Sequence, residues 1–424
     1  MSGSGRKIPG SRLGRLARLA TVSARTGANM LLNREAATEE VARKAAEALG
    51  TLRGVAAKVG QMAGYVDGVI PEGQRDAYEK WMQKLLAAAP ASSPAAVRRL
   101  VEEELGAPID QLFAEWSETP IASASIGQVH RARLPDGQEV AVKVQHPGVA
   151  RAVESDLQNA GLLERTVAVV GGSKLESRRI LEEVRTRFRE ELDYQIEATR
   201  QRRFAEFFND DPQVVIPTIH ERHSSKRVLT SRFIRGANFD EARSAPEPER
   251  AAWARAQWRF VYKGTLVGGM FNADPHPGNY FFLPGGQVAF IDFGCVQPVT
   301  PERMRLGSAT HRAASNGDRR EFERAGREML GLRGGAHERR ALAYLHEAFR
   351  PQFESPFRMT RSYVAALVDQ FRQIATASIR ERDGSFVSFP PGVFFLNRLQ
   401  FGFYSVLARL DVEVDYAAIE RGFL

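Results

Sequence analysis

Cysteine is almost absent from this chain, because Cys295 is the only one among 424 residues. A single cysteine excludes a disulfide within the chain and a zinc site built from cysteines. Long hydrophobic runs are also missing, since the apolar stretches near Val167–Gly172 and Phe386–Leu396 are short and broken by Gly or Pro. A helix that crosses a bilayer needs about 18–20 consecutive apolar residues. The sequence therefore predicts a protein without a transmembrane segment.

Lysine is scarce in a chain that is otherwise basic. Only nine of the 59 Lys and Arg residues are lysine, and none occurs after Lys263. Where a generic positive charge suffices this chain uses arginine, so its lysines are enriched at positions that arginine geometry does not serve. Lys58 and Lys143 are the two lysines whose surroundings are most informative.

Acidic residues are missing from the start of the chain, since the first one is Glu35. Arg12, Arg15 and Arg18 alternate with leucines, a pattern of a short basic amphipathic helix on an anionic membrane. A solvated tail or an organelle transit peptide would have the same composition. We treat residues 1–32 as a separate basic tail and leave these three alternatives open.

The overall charge makes anionic partners plausible. The formal net charge is +8 and the isoelectric point is about 9.7. Nucleotides, anionic lipids and nucleic acids all qualify on charge. Nucleic acid is disfavoured because no basic run carries interleaved aromatic residues.

The most informative motif is Asp274-Pro275-His276-Pro277-Gly278-Asn279, followed by Asp292-Phe293-Gly294. An Asp and an Asn with this spacing, then Asp-Phe-Gly, are typical of a kinase catalytic loop and its Mg²⁺-binding Asp. Between them, Tyr280–Ile291 has two apolar runs around Pro-Gly-Gly and predicts a β-hairpin. His276 has no second histidine at ligand spacing, so we interpret it as a turn residue.

An upstream hairpin supplies the matching lysine. Glu139–Gln145 is strand-like and places Lys143 in the Ala-Val-Lys context of the kinase lysine that contacts phosphates. Gln128–Leu134 and a Pro-Asp-Gly turn precede it. The preceding loop, which includes Ser123, Ala124 and Ser125, is not Gly-rich, so we expect nucleotide handling to differ from that of an ordinary kinase.

Together these motifs resemble the UbiB/AarF atypical kinase family. Lys58-Val59-Gly60-Gln61 matches its K-x-G-Q motif, and Glu191-Leu192-Asp193 matches its E-x-D motif. The resemblance implies an α+β, protein-kinase-like fold of two lobes with an N-terminal helical extension. The implied domains are residues 33–113 for the extension, 114–235 for the β-rich lobe with a helical insert, and 236–424 for the helical lobe.

The resemblance also implies a role for each motif residue. Lys143 would contact the phosphates of ATP and pair with Glu197. Asp274 would be the catalytic aspartate, and the K-x-G-Q helix would fold over the active site. The remaining implied roles are Mg²⁺ binding by Asn279 and Asp292, nucleotide binding by Ala124, Ser125, Glu197 and Phe233, a catalytic contribution from Lys58, and a regulatory group of Lys58, Gln61, Glu191 and Asp193.

The acidic motif is predicted to lie on one helix. Asp193 and Glu197 are four residues apart, and such residues share a helical face. We therefore expect both to point into one cleft, with Glu191 about half a turn ahead.

The chemistry that the resemblance implies is ATP hydrolysis rather than protein phosphorylation. After Gly294 the chain enters a helix-like segment almost at once, and no Ala-Pro-Glu motif or long activation segment follows. The family points to support of isoprenoid-quinone (ubiquinone-type) biosynthesis, with partners among anionic lipids, quinone precursors or their enzymes. The Arg- and Ala-rich composition is typical of a GC-rich genome and so of a bacterium, which favours a cytoplasmic protein, peripheral at the inner membrane face, over an organelle protein. A small-molecule phosphotransferase and a non-catalytic nucleotide-sensing scaffold at a membrane remain the alternatives.

Overall fold

The structure is a computed structural model that describes residues 92–123, 126–151, 154, 189–380 and 393–424. The chain divides into two units. The larger consists of Arg98–Glu118, His130–Val144 and Arg189–Leu424. The described residues of the smaller unit are 92–97, 119–123, 126–129, 145–151 and 154. The predicted domain boundaries stay a prediction.

Helices and strands alternate up to Pro298, and helices dominate thereafter. The strands are β1 Glu115–Trp116, β2 Ala122–Ser123, β3 Gly127–Arg133, β4 Glu139–Gln145, β5 Val214–Val215, β6 Val228–Arg232, β7 Met270–Asn272, β8 Tyr280–Phe282, β9 Val288–Phe290, β10 Val296–Pro298, β11 Phe357–Arg358 and β12 Glu413–Val414. The helices are α1 Pro94–Leu105, α2 Ile109–Leu112, α3 Tyr194–Phe207, α4 Phe239–Arg243, α5 Glu247–Leu266, α6 Pro301–Ser315, α7 Arg319–Leu330, α8 Gly335–Ala348, α9 Arg350–Phe353, α10 Arg361–Arg380, α11 Val393–Leu410 and α12 Tyr416–Arg421.

The sheet that carries Lys143 has the order β1-β3-β4-β6, and β3 and β4 flank the predicted Pro-Asp-Gly turn. Side chains alternate between the two faces of a strand. Val140, Val142 and Val144 are fully buried on one face of β4. Lys143 therefore lies on the opposite face, with Leu229 of β6 as its neighbour across the ladder.

The second predicted hairpin is confirmed. β8 and β9 pair antiparallel, and the intervening Pro284–Gly286 forms a short 3₁₀ turn. β5 joins this sheet through a parallel pairing with β9. The apolar run Val214–Ile219 predicts a longer strand than the structure has. The strand β5 ends at Val215, two residues before Pro217, which cannot donate to a ladder.

The chain after Ala245 contains more strand than its sequence indicates. The sequence predicts a mostly helical segment apart from the hairpin at residues 280–291, but β7 pairs with β10 and β11 pairs with β12. These strands have three residues or fewer, and their partners are more than 20 positions away in sequence. Periodicity within a short window cannot reveal such pairings.

The helical part of the larger unit is built around aromatic residues and one buried acid. The Trp258 ring is fully buried between Tyr416, at a centroid distance of 4.2 Å, and Tyr404, at 5.8 Å. Glu420 is fully buried as well and accepts hydrogen bonds from Trp258 Nε1 at 3.0 Å and Ser315 Oγ at 2.8 Å. These contacts attach α12 to α5 and α6.

The predicted α+β class is confirmed, because antiparallel sheets precede a mainly helical segment. In the smaller unit, β2 pairs with the first residues of β3, and His146 Nδ1 lies 2.9 Å from Ser92 Oγ. Within the part of the chain that the structure describes, no helix has both the length and the apolar character to cross a bilayer.

Candidate functional site

Lys143 is the centre of a polar cluster in the larger unit. Its Nζ donates to both carboxylate oxygens of Glu197, at 2.8 and 2.9 Å, and lies 3.4 Å from Asp292 Oδ2. Burial alone would lower the pKa of Lys143, but the negative charges of Asp292 and Glu197 outweigh it and raise that pKa well above its usual value. Lys143 is therefore a permanent cation shared by two acids.

The cluster carries more negative than positive charge. Glu197 is only 5% exposed, whereas 31% of the Asp292 side chain is exposed. Burial raises the pKa of the Glu197 carboxyl, and the nearby Asp292 charge adds to this effect while Lys143 opposes it. Two carboxylates around one ammonium leave a net negative charge, which a bound cation would relieve.

The Asp-Phe-Gly segment is held from both sides. Asp292 Oδ1 accepts from the backbone N–H of Gly294 at 2.9 Å, and the Phe293 ring is fully buried 5.0 Å from Phe204 of α3. Asn272 Nδ2 donates to the backbone oxygen of Asp292 at 2.8 Å. Position 292 is thus fixed in the backbone while its Oδ2 still faces Lys143.

The loop that carries Asp274 and Asn279 is closed by its own side chains. Asp274 Oδ1 accepts from the backbone N–H of His276 at 3.3 Å, and His276 Nδ1 accepts from that of Gly278 at 2.9 Å. The interpretation of His276 as a turn residue is confirmed. Asn279 Nδ2 points to the backbone oxygen of Asp274 at 3.4 Å, so its amide oxygen is directed elsewhere.

These residues fit a magnesium ion. Mg²⁺ is held in nucleotide sites by one or two carboxylates together with substrate phosphates, and hard oxygen donors suit it. Asp292 supplies a partly exposed carboxylate, and Asn279 supplies an amide oxygen. Among the described residues, no group of three or more His, Cys, Asp and Glu could hold a metal alone.

The prediction that Asp193 and Glu197 share a helical face is wrong. The helix breaks at Leu192 and Asp193, and α3 begins at Tyr194. Asp193 is the N-cap, with extended backbone, and its side chain accepts from the N–H of Gln195 at 3.0 Å. Because Asp193 lies outside α3, the four-residue spacing does not place it beside Glu197.

The break has a physical cause. The backbone N–H of Tyr194 donates to the oxygen of Lys226 at 2.9 Å, outside the helix. Asp is a preferred N-cap residue and satisfies the first free N–H groups of α3. Lys226 Nζ lies 3.9 Å from the second oxygen of Asp193. Glu191 ends the preceding helical segment, and its charge acts on the hydroxyl of Tyr194.

Sequence reasoning missed Arg200, one turn after Glu197. Its guanidinium donates to the backbone oxygen of Gly294 at 2.9 Å and to Glu190 Oε2 at 2.6 Å. It therefore joins the Asp-Phe-Gly segment to the residue that precedes the E-x-D motif. The only signal in the sequence was its position three residues after Glu197.

Tyr194 is a second residue whose role the sequence did not indicate. It is 1% exposed, and its ring centroid lies 5.1 Å from Lys143 Nζ. The ammonium thus lies over the face of the Tyr194 ring, as in a cation–π contact. Burial raises the pKa of the Tyr194 hydroxyl far above the physiological range, so this ring stays neutral.

The family resemblance also implies that the strand Val228–Phe233 and the following Ile234-Arg235-Gly236 form the hinge against adenine, and the observed strand ends one residue earlier. β6 stops at Arg232, and the N–H of Phe233 donates to the oxygen of Glu139 at 2.9 Å. Arg131 and Arg235 lie 5.3 and 5.8 Å from the Phe233 ring. Gly236 follows, and a side chain there would come within 2.7 Å of Leu283.

Four predicted site residues lie outside the described residues. They are Lys58, Gln61, Ala124 and Ser125. The structure brings Lys143, Glu197 and Asp292 together and joins Asp274 to Asn279 in one loop. The functional roles assigned to all of these residues stay predictions.

The chain is similar in sequence to several known proteins. A family model described as the ABC1 atypical kinase-like domain matches residues 84–325, which is more than half of the chain. The chain is 32% identical over 252 residues to the Arabidopsis thaliana protein ACTIVITY OF BC1 COMPLEX KINASE 8, chloroplastic, covering 58% of this chain and 32% of that protein. It is 33% identical over 204 residues to an uncharacterized chloroplastic aarF domain-containing protein kinase of the same plant, covering 48% and 29%.

The chain thus spans about a third of the length of these two relatives. A solved structure of similar fold is the complex of Rv3197 with erythromycin from Mycobacterium tuberculosis. Its TM-score is 0.62 at 27% identity, and the alignment covers 96% of this chain and 98% of that one. The predicted kinase-like fold is confirmed by this similarity.

Proposed function

The chain belongs to the ABC1 atypical kinase-like family, also called UbiB/AarF, and from this premise we propose that it is a Mg²⁺-dependent ATPase. We further propose that it supports isoprenoid-quinone (ubiquinone-type) biosynthesis at a membrane surface and has little protein kinase activity. The observation that carries the proposal is the Lys143 ammonium shared between Glu197 and Asp292.

In this proposal each polar residue has one task. Glu197 holds Lys143 in place, and Lys143 orients the nucleotide phosphates. Asn279 and Asp292 would hold Mg²⁺, which supplies neutralisation of phosphate charge when it is bound. Asp274 aligns an attacking water or hydroxyl and accepts its proton.

The segment after Gly294 supports the low protein kinase activity. Only residues 295–300 separate Gly294 from α6, and three of them form β10. A protein kinase uses a long activation segment at this point to hold its peptide substrate. Water or a small molecule is therefore the favoured acceptor.

The membrane role rests on charge and on the family. A net charge of +8 favours an anionic lipid surface, and we propose a cytoplasmic protein that is peripheral at the inner membrane face. Lipid, quinone precursors or their enzymes would be the partners. The proposed regulatory group is Lys58, Gln61, Glu191 and Asp193, and the proposed contacts to the nucleotide are Ala124, Ser125 and Phe233.

Hydrolysis of Mg-ATP by the purified chain tests this function, with and without anionic liposomes. We expect turnover that rises with liposomes and falls about a thousandfold in Asp292→Asn, because the metal loses its carboxylate. Asp240→Asn is the matched control, since Asp240 is exposed on α4 and pairs only with Arg243 among the described residues.

Two outcomes would contradict the proposal. Nucleotide binding without turnover under any condition would favour a nucleotide-sensing scaffold. A phosphorylated small product in place of free phosphate would favour a phosphotransferase.

A further inference from the structure

The helical part of the larger unit contains a cavity of about 240 Å³ that the proposed ATPase does not use. Its wall is formed by α5, α6, α7, α8, α9, α10 and α11, together with the β7–β10 ribbon. Most of the wall is apolar, and its main contributors are Leu266, Leu330, Leu345, Phe349, Phe371 and Ile374.

The volume sets the size of a ligand. An apolar cavity of about 150 Å³ accepts benzene, which has six heavy atoms. By the same ratio, this cavity accommodates a molecule of about ten heavy atoms. That is the size of a single substituted ring or a chain of eight carbons with a small head group.

Polar atoms without partners distinguish the cavity from a simple packing defect. Gln297 Nε2 and Gln352 Oε1 are buried and have no hydrogen-bond partner among the described residues, and both side chains line the cavity. Gln352 itself is only 3% exposed. A buried polar atom left unpaired is destabilising, so a bound group that accepts from Gln297 Nε2 or donates to Gln352 Oε1 would be stabilising here.

The charge in the wall is positive. Arg303 lines the cavity, and its guanidinium has no ion pair among the residues that the structure describes. It lies in the first turn of α6, where the Thr300 hydroxyl caps the backbone N–H of Arg303 and leaves its guanidinium to supply the positive charge. Arg303 and Gln297 Nε2 both donate, so they call for an acceptor, whereas no acidic side chain lines the cavity.

We propose that this cavity binds a small amphipathic carboxylate, with its apolar body among the helices and its anionic head at Arg303 and Gln297. Arg303 and His311 are eight residues apart on α6, about 12 Å by helical rise, and both line the cavity. The cavity therefore has the length for an extended chain as well as the volume.

Isothermal titration of the full chain with sodium octanoate, and with 1-octanol as the uncharged probe, tests the proposal. We expect one saturable octanoate site, at least tenfold tighter than any octanol binding, because a charge-assisted hydrogen bond requires the carboxylate. Arg303→Gln should weaken octanoate about tenfold and leave octanol unchanged. Arg305→Gln is the matched control, because Arg305 lies on the same helix but pairs with Glu328 outside the cavity.

Filling the cavity provides an independent check. Ala341 is 2% exposed and lines the wall, and Ala341→Phe should abolish the binding of both probes while the chain remains folded by circular dichroism. Arg303 is only partly buried, so its substitution tests the proposal even if Ala341→Phe does not fold. The proposal is overturned by absence of saturable octanoate binding, by equal affinity for octanol, or by equal losses in Arg303→Gln and Arg305→Gln. Each result is independent of ATP turnover.

Discussion

Two buried glutamates show how differently one chain uses the same side chain. Glu197 is 5% exposed and Glu420 is fully buried. Glu197 is held by the Lys143 ammonium, which it shares with Asp292, and by the backbone N–H of Phe293. Glu420 accepts from Trp258, Ser315 and Gln352, and His311 Nδ1 lies 3.1 Å from both of its oxygens.

The difference lies in how completely each acid is satisfied. The partners of Glu420 come from α5, α6 and α9, and they hold α12 in place. The ion pair of Glu197 with Lys143 can be exchanged, because a phosphate can compete for Lys143 and a metal can compete for Asp292. A fully paired acid serves stability, whereas a shared cation leaves capacity for a ligand.

The largest effect is expected from Glu420→Ala. This change leaves the Trp258, Ser315 and Gln352 donors buried without an acceptor, and we expect a loss of about 4 kcal/mol in unfolding free energy. Denaturant unfolding measures it. Glu420→Gln is the control, since it keeps the shape and should cost only about 1 kcal/mol. Equal losses in the two variants would show that the second carboxylate oxygen or the charge, which Gln also lacks, sets the effect, because Gln preserves the packing.

The second prediction concerns the other glutamate. In Glu197→Gln, Lys143 keeps Asp292 as its counter-ion, so the unfolding free energy should change by less than about 1 kcal/mol. ATP turnover should fall about a hundredfold, because the phosphate-binding ammonium loses its orienting partner. A large loss of stability with unchanged turnover would reverse the contrast between the two acids. Steady-state hydrolysis and thermal unfolding on the same preparations decide this.

A smaller effect is expected at Arg200. Arg200→Met removes the bridge from Glu190 to the Gly294 oxygen, and turnover should fall about tenfold as the Asp-Phe-Gly segment loosens. Arg202→Met is the matched control on the same helix, because Arg202 pairs with Glu221 at the surface. Similar turnover in both variants would show that Arg200 does not contribute to the function of the site.

The smallest effect is expected at a third buried acid, Asp211, whose carboxylate accepts from two cationic side chains. Its Oδ2 accepts from Arg259 at 2.6 Å and from Lys263 at 2.7 Å. Burial would raise the pKa of Asp211, but Lys263 and Arg259 outweigh it and lower that pKa below the ordinary 3.8. The stabilisation is therefore present above pH 3.8 and is lost as the pH falls through the folded-state pKa.

The variant Asp211→Asn tests the direction of this pKa shift. At pH 7 the variant should be less stable than the parent by about 1 kcal/mol, and the gap should narrow as the pH falls below about 4. Denaturant unfolding of both proteins at pH 7 and below about pH 4 measures this difference in stability. A gap that widens in acid would contradict the lowered pKa.

Much of the site could be predicted because its parts are local. The spacing from Asp274 to Asn279, the Pro-Gly-Gly turn and the Ala-Val-Lys strand are all short-range patterns, and the structure has the corresponding loop and hairpins. The approach of Lys143 to Glu197 was expected only through the family resemblance, since 54 residues separate them.

The features that the sequence did not predict all depend on tertiary contacts. Asp193 suits a helix N-cap, but its four-residue spacing from Glu197 suits a continuous helix equally, and the break depends on a bond from the Tyr194 N–H to the backbone oxygen of Lys226 in the loop before β6. Arg200 bonds to a backbone oxygen 94 residues away, and a backbone acceptor has no sequence signature. The β7–β10 pairing is equally invisible to local patterns.

The β7–β10 ribbon has a consequence for inherited variation. Phe271 and Gln297 face each other across it and line the cavity, while the next pair, Asn272 and Val296, lies beside the backbone of the Asp-Phe-Gly segment. One peptide unit therefore separates the cavity wall from the side chain that bonds the Asp292 backbone. Under the proposed function, a substitution in the wall would change the turnover rate in one lineage while every residue proposed to contact the nucleotide stays the same.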